Sequence, residues 1–238
     1  MPTPGEFTYY ERIGPGGRSH ALNKPFSDDR RGAMLMEVGA LCLLLPPPPA
    51  RVLECGCGTG WLSYFLAKSG YDVVGQDANS TAIEMARANP MFQSLDKEPE
   101  FIAGDFEELP FENGFDAVVF FDALHHSLDL RRALEQALRV LKTGGIVVAS
   151  EPGTGHARRS AEFAQAWDVT DRDVPPSLTG SLARAAGFSQ VFVYPHAELW
   201  GPSLYARRTG IRNALTRFAG IVAHLSFTRR SGIIVLVK

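Results

Sequence analysis

Between Arg51 and Gly60 the chain reads Arg-Val-Leu-Glu-Cys-Gly-Cys-Gly-Thr-Gly, and this segment constrains the fold more than any other. Arg51 to Cys55 has the length and apolar character of a strand. Gly56, Gly58 and Gly60, at alternate positions, then let the backbone turn sharply and approach a ligand without Cβ interference. From Gly60 to Ser69 the pattern is helical, and Gly70 closes it. A strand handed through such a turn to a helix presents amide N–H groups and the positive end of the helix dipole, which suit a carboxylate or phosphate. A plain strand–helix connection needs fewer glycines, so the segment is read as a ligand-binding turn.

The remaining pattern sets that turn in a repeating frame. Tyr71 to Gln76 reads as a strand and Ser80 to Ala88 as a helix stopped by Asn89-Pro90. Glu100 to Ala103 is a short strand, and Phe115 to Phe121 is apolar enough to be covered on both faces. Leu130 to Leu141 is amphipathic, and Gly144-Gly145 introduces a further strand, Ile146 to Ser150. Strand–helix–strand repetition implies a parallel sheet with right-handed crossovers. Ala157 to Trp167 and Ser177 to Ala186 are candidate helices, the second with Gly187 as C-cap, and Gln190 to Tyr194 and Gly232 to Val237 are candidate strands. At the other end, residues up to about Lys24 read as irregular and broken at Gly14-Pro-Gly-Gly17. They form either a loose tail or a lid packed through Tyr9, Tyr10 and Phe26. Ser27 or Asp28 would cap a helix from Asp29 to Leu45, and Pro46 to Pro49 form a stiff connector to the first strand.

Composition narrows the function classes. With 238 residues, 45% of them hydrophobic, the chain can bury one α/β core, and a formal net charge of −2 argues against a general nucleic-acid binder. Cys42, Cys55 and Cys57 do not make a disulfide framework and fit a reducing cytoplasm. Met1 to Arg18 lacks the apolar core of a secretion signal, and Leu41 to Leu45 is too short to span a bilayer, so a cytoplasmic protein without a transmembrane segment is expected. Cys55 and Cys57 lack a neighbouring pair that would complete a four-ligand set, so no metal is expected. Near the C-terminus, Leu204, Ile211, Leu215, Phe218, Val222 and Leu225 form a helical stripe accompanied by Arg207, Arg208, Arg212 and Arg217. It reads as a helix with a solvated basic edge, or as a lid meeting an acidic or amphipathic substrate or an anionic membrane surface.

The identity of the ligand follows from spacing and then from resemblance. A nicotinamide-binding turn would carry its third glycine at position 61, which is Trp61. Asp77 closes the second strand at a spacing suited to a ribose hydroxyl pair. Six segments then occur in a telling order: Val52 to Gly60, Gly75-Gln-Asp77, Gly104-Asp105-Phe106, Leu109 to Asp116, Phe121-Asp-Ala-Leu-His-His126 and Arg139 to Gly145. They resemble the successive motifs of class I S-adenosylmethionine-dependent methyltransferases, especially the small-molecule branch called type 11. The match is close from Arg51 to Pro152; Thr143 stands where the family usually has proline before its double glycine.

The resemblance implies a Rossmann-like α/β fold: a doubly wound, seven-stranded, mainly parallel sheet with helical N-terminal and C-terminal lid elements and an antiparallel last strand. It implies a lid segment and helix over residues 1–49, and a methyltransferase domain over 50–238 with a helical insertion at about 198–227. S-adenosyl-L-methionine would be the cofactor and a small molecule the methyl acceptor. Gly56, Gly58 and Gly60, with Cys57 among them, would shape the turn around the methionine part, and Glu54 would help hold its amino-acid end. Asp77 would accept from both ribose hydroxyls, Ala78 or Asn79 would pack on the adenine, Asp105 would receive its amino group, and Phe106 would lie beside the ring. Phe121 and Asp122 would lie near the sulfonium. His125 and His126 are candidates for a neutral base acting on the acceptor, or for residues that orient it. Asp122-Ala-Leu-His does not resemble the motif of enzymes that methylate base amines, so a nucleic-acid substrate is disfavoured. A non-catalytic cofactor-binding protein is the alternative from another class.

Overall fold

The structure, a computed structural model, describes residues 3–197 and 230–238. Seven strands form one sheet: β1 (Arg51–Cys55), β2 (Asp72–Asp77), β3 (Glu100–Ala103), β4 (Phe115–Phe121), β5 (Leu141–Glu151), β6 (Gln190–Tyr194) and β7 (Gly232–Val237). Their spatial order is β3-β2-β1-β4-β5-β7-β6, with β7 inserted antiparallel between β5 and β6 and the other pairs parallel. The doubly wound, seven-stranded sheet with an antiparallel last strand that the resemblance implies is therefore present.

Period-two alternation explains why this sheet carries helices on both faces. Leu53, Val118, Val147 and Leu236 point to one face, where Leu134 and Ala137 of α6 (Leu130–Val140) and Ala183 of α9 (Pro176–Ala186) cover them. Val52, Val119, Val148 and Val235 point to the other, against Leu41 of α3 (Arg31–Leu44) and Leu62 and Leu66 of α4 (Trp61–Lys68). Each such side chain, fully withdrawn from water, contributes about 1.5–3 kcal/mol before entropy is counted. These two layers hold the carboxyl ends of β1, β2, β3, β4 and β5 side by side, where a ligand can bind.

The helix expected from Asp29 with a Ser27 or Asp28 cap starts at Arg31 instead, after Arg30, with no side-chain capping bond, and three further readings differ from the sequence pattern. Residues read as irregular form two helices, α1 (Pro4–Arg12) and α2 (Gly14–Leu22), each with proline in its first turn, where the missing N–H costs nothing. Ile13 alone separates the two helices, Gly14-Pro-Gly-Gly17 forms the first turn of α2 instead of ending order, and contacts with distant residues supply what propensity lacks. The single helix expected over Ala157–Trp167 is two, α7 (His156–Arg159) and α8 (Ala161–Trp167). Strand β5 starts at Leu141 because Leu141 pairs with Phe115 before the register slips and Ile146 pairs with Ala117. α5 (Ser80–Arg87) lies as expected, capped by Asn79 Oδ1 accepting the Ala82 N–H at 3.0 Å. Among the described residues no helix is long and apolar enough to cross a membrane. The basic stripe from Leu204 to Leu225 and the insertion at about 198–227 lie outside the described residues.

Gly60 links this architecture to the ligand-binding turn. It caps α4 at φ 80°, and a Cβ there would stand 2.7 Å from Phe101 and 3.0 Å from Phe92. Its role is thus to seat the helix on β3. Gly60→Ala is expected to cost about 2–4 kcal/mol, combining left-handed strain with overpacking; a thermal melt within a degree of the parent protein would contradict this.

Candidate functional site

The chain reverses its direction of winding between β1 and β4, and the crevice beyond their carboxyl ends is where open α/β sheets take ligands. A cavity of about 410 Å³ lies there. Of the residues selected from sequence, Gly56, Gly58, Asp77, Ala78, Asp105, Phe106, His125 and His126 line it. Glu54, Cys57, Gly60 and Phe121 do not. Glu54 is buried behind the turn and accepts a short hydrogen bond from Ser63 Oγ. Cys57 packs with Ile83, Phe92 and Phe101. Phe121 stands edge-on to Trp61, with ring centroids 5.4 Å apart, and faces a second cavity.

Asp77 organises the first cavity. Its Oδ2 accepts the Gly58 N–H at 2.8 Å and its Oδ1 the Asn79 N–H at 2.8 Å, so one carboxylate joins the glycine turn to the start of α5. Burial raises its pKa, and the two backbone donors oppose that rise. Each oxygen keeps further acceptor capacity for hydroxyl donors. Asp105 holds its own loop in the same way, accepting the Glu107 N–H at 2.8 Å.

The N-terminal helix covers this cavity. Glu6, Tyr9 and Tyr10 of α1 line it, and the Tyr10 hydroxyl lies 2.8 Å from where a Cβ on Gly58 (φ 53°) would sit. Burial, with Asp77 nearby, pushes the Tyr10 hydroxyl pKa up, so it stays protonated and able to donate. Asn79 Nδ2 donates to the Glu6 carbonyl at 2.9 Å, and Arg12 reaches the carbonyls of Trp167 and Ala166 at 3.0 and 3.1 Å. The Glu6 carboxylate accepts the Thr170 N–H at 3.0 Å and stands 3.3 Å from His126 Nδ1. His126 Nδ1 also donates to the Thr170 carbonyl at 2.6 Å. Burial disfavours the charged imidazole, but Glu6 and the Thr170 carbonyl outweigh it and push the His126 pKa up to about 9. His126 is thus charged at neutral pH in this arrangement, and the neutral, proton-accepting form anticipated from sequence is not the one its surroundings favour.

A buried carboxylate that sequence reasoning did not single out shapes the other wall. Glu151, at the end of β5, accepts the N–H groups of Ala123 at 3.0 Å, Leu124 at 2.8 Å and His125 at 3.3 Å, and also meets His125 Nδ1 at 2.9 Å. It holds the short 3-10 turn Leu124–His126 rigidly after β4. Just before that turn, Asp122 has φ 53°, a left-handed conformation costing about 1–3 kcal/mol that directs an exposed carboxylate between the cavities.

The second cavity, about 440 Å³, shares Lys24, Asp122 and His156 with the first. On its floor Glu37 Oε1 accepts from Ser150 Oγ at 2.6 Å and from His196 Nδ1 at 2.7 Å, joining α3, β5 and the segment after β6. These residues are far apart in the chain, and the sole sequence signal among them is the placement of Ser150 and Glu151 at a strand's carboxyl end.

A Rossmann-like sheet with a glycine turn, two strand-end acids and a covering helix defines a nucleoside-cofactor enzyme class. A family model described as "Methyltransferase domain" matches residues 53–149. The demethylmenaquinone methyltransferase of Clavibacter sepedonicus is 35% identical over 199 residues, covering 79% of this chain and 77% of that protein. The malonyl-[acyl-carrier protein] O-methyltransferase of Erwinia pyrifoliae is 32% identical over 194 residues, covering 79% and 68%. The 24-methylenesterol C-methyltransferase 2 of Oryza sativa is 31% identical over 182 residues, covering 72% of this chain but 48%, about half, of the relative. Among solved structures, phosphoethanolamine N-methyltransferase 2 of Haemonchus contortus, crystallised with S-adenosyl-L-methionine, superposes with a TM-score of 0.61 at 18% identity, over 85% of this chain and 51% of that one. The chain belongs to the class I S-adenosylmethionine-dependent methyltransferase family.

Glu54 makes a pH-dependent prediction. Burial pushes its pKa up to about 8 in spite of the Ser63 hydrogen bond, against an ordinary value of 4.5. The folded state then holds a proton that the unfolded state releases between pH 4.5 and 8. Its contribution to stability is complete below pH 4.5 and is lost as the pH rises through about 8. Glu54→Gln should flatten this part of the stability profile, by a few kcal/mol at most; parallel profiles for the two proteins without ligand would refute the assignment.

Proposed function

We propose that this chain transfers a methyl group from S-adenosyl-L-methionine to an oxygen, nitrogen or carbon atom of a small molecule, releasing S-adenosylhomocysteine. The carrying observation is that Asp77 and Asp105, at the ends of adjacent parallel strands, face the same cavity as the glycine turn. Relatives named as C-, N- and O-methyltransferases support the reaction class, and the proposal therefore covers all three acceptor atoms.

In this reading the first cavity takes the cofactor. Asp77 accepts from the ribose hydroxyls, Ala78 and Phe106 flank the adenine, and Asp105 receives its amino group. Gly56 and Gly58 bring backbone against the methionine part, which Glu54, Cys57 and Gly60 support from behind. The second cavity, bounded by Phe121 and Asp122, takes the acceptor. Residues 1–49 act as a lid segment whose α1 must swing aside for exchange, and the Glu6–His126 contact is its latch. His125, tied to Glu151, serves as an orienting residue. The transfer then depends mainly on aligning a nucleophile with the methyl carbon in a dry cleft.

Calorimetry provides the direct check. Asp77→Ala should weaken S-adenosylmethionine binding by about 10- to 100-fold, the worth of hydrogen bonds to a charged acceptor. Undiminished affinity would defeat the cofactor placement.

A further inference from the structure

Three ligating side chains meet on the wall of the first cavity, one of them, His156, also lining the second. His125, His156 and Asp171 each place one ligand atom within 4.8 Å of the others. They come from separate segments beyond the sheet edge: the turn after β4, the first residue of α7 and the stretch after α8. Each segment is fixed from behind. Glu151 engages His125 Nδ1 at 2.9 Å, which leaves Nε2 as the ligating nitrogen. Asp173 accepts the Gly155 and Ala157 N–H groups at 2.8 and 2.9 Å and so seats the turn carrying His156. The Arg172 N–H donates to the His125 carbonyl at 3.2 Å, tying the Asp171 segment to the same wall.

The atoms themselves are what point to a ligand. His156 Nε2 and Asp171 Oδ1 lie 2.6 Å apart as an ion pair, the aspartate side chain only 4% exposed, and neither atom makes a further hydrogen bond. We propose that His125, His156 and Asp171 bind a divalent transition-metal ion, zinc-like in taking nitrogen and oxygen ligands, with its fourth position open to the cleft. Three protein ligands and one open position is the pattern of a reactive rather than a structural zinc site. The Glu151–His125 pair supplies the carboxylate behind the histidine that fixes ring orientation in such sites. Around an ion with bonds of about 2.0–2.2 Å the ligand atoms sit about 3.3 Å apart, so the His156–Asp171 pair opens slightly as the third ligand closes in.

An ion here presents its open position to the first cavity, which all three side chains line, and so meets an oxygen or nitrogen atom of the cofactor proposed there or of an acceptor reaching past His156 from the second. That consequence rests on the methyl-transfer reading; metal binding itself does not. The test uses the full chain after treatment with a chelator. Titration with Co²⁺, followed by visible absorption, should saturate at one ion per chain with a four-coordinate spectrum, and Zn²⁺ should displace it. His156→Ala and the isosteric Asp171→Asn should each abolish saturable binding, while His20→Ala, on the exposed face of α2, should leave it unchanged. A cooperative thermal melt and an unchanged far-UV circular dichroism spectrum on the same samples verify that the variants are folded. Absence of saturable Co²⁺ binding by the parent protein, or binding unaltered in both ligand variants, overturns the site whether or not the cofactor binds.

Discussion

The Glu151 carboxylate is the contact on which the functional edge of the molecule depends. It is buried, at the end of the interior strand β5, and takes three successive backbone N–H groups beyond β4 as well as the His125 ring. A buried carboxylate left without donors would be costly, so the turn and the acid stabilise each other or neither is stable. This exchange places His125, His126 and the left-handed Asp122 over the switch point. Without it, the residues after β4 would be an ordinary loop, and the two cavities would have no shared wall.

The N-terminal helices depend on that wall in turn. α1 lies outside the two apolar layers; it is held by Tyr9 packed edge-on against Phe163 and Trp167 of α8 and by polar contacts: Glu6 to Thr170 and His126, Asn79 to the Glu6 carbonyl, and Arg12 to two carbonyls of α8. Polar contacts of this kind are individually weak and exchange readily with water. A cover held outside the core can open without disturbing it, which is what the proposed lid role needs. The two apolar layers on the sheet meanwhile remain intact.

Much of the frame was legible in the residues because local rules and global packing agree in it. The alternation in Val52-Leu53, the apolar run from Phe115 to Phe121 and the stop at Asn89-Pro90 each carry a period or a breaker that means the same thing in any context. Asp77 and Asp105 were recognisable because strand-end position alone brings them to the cleft. The N-terminal helices were not, since glycine and proline at Gly14-Pro15 signal a break locally, whereas in the fold they open α2 directly after α1 and Ile13. His126 was recognisable as a cleft residue, but its charge state depends on Glu6, more than a hundred residues away in the chain.

What the sequence alone determined is the sheet order's rhythm, the glycine turn and the acids that close β2 and β3, because each follows from spacing within one or two elements. Tertiary structure decided how those parts become a site. It placed Glu54, Cys57 and Gly60 behind the turn instead of in the cavity, since their side chains or Cβ positions meet Ser63, Phe92 and Phe101. It brought Glu151 under His125 and Glu37 beside Ser150 and His196, and it gathered His156 and Asp171 beside His125. The physical reason is the same throughout: periodicity is a short-range property of the chain, whereas satisfying a buried polar group requires partners that only the folded topology brings within hydrogen-bonding reach.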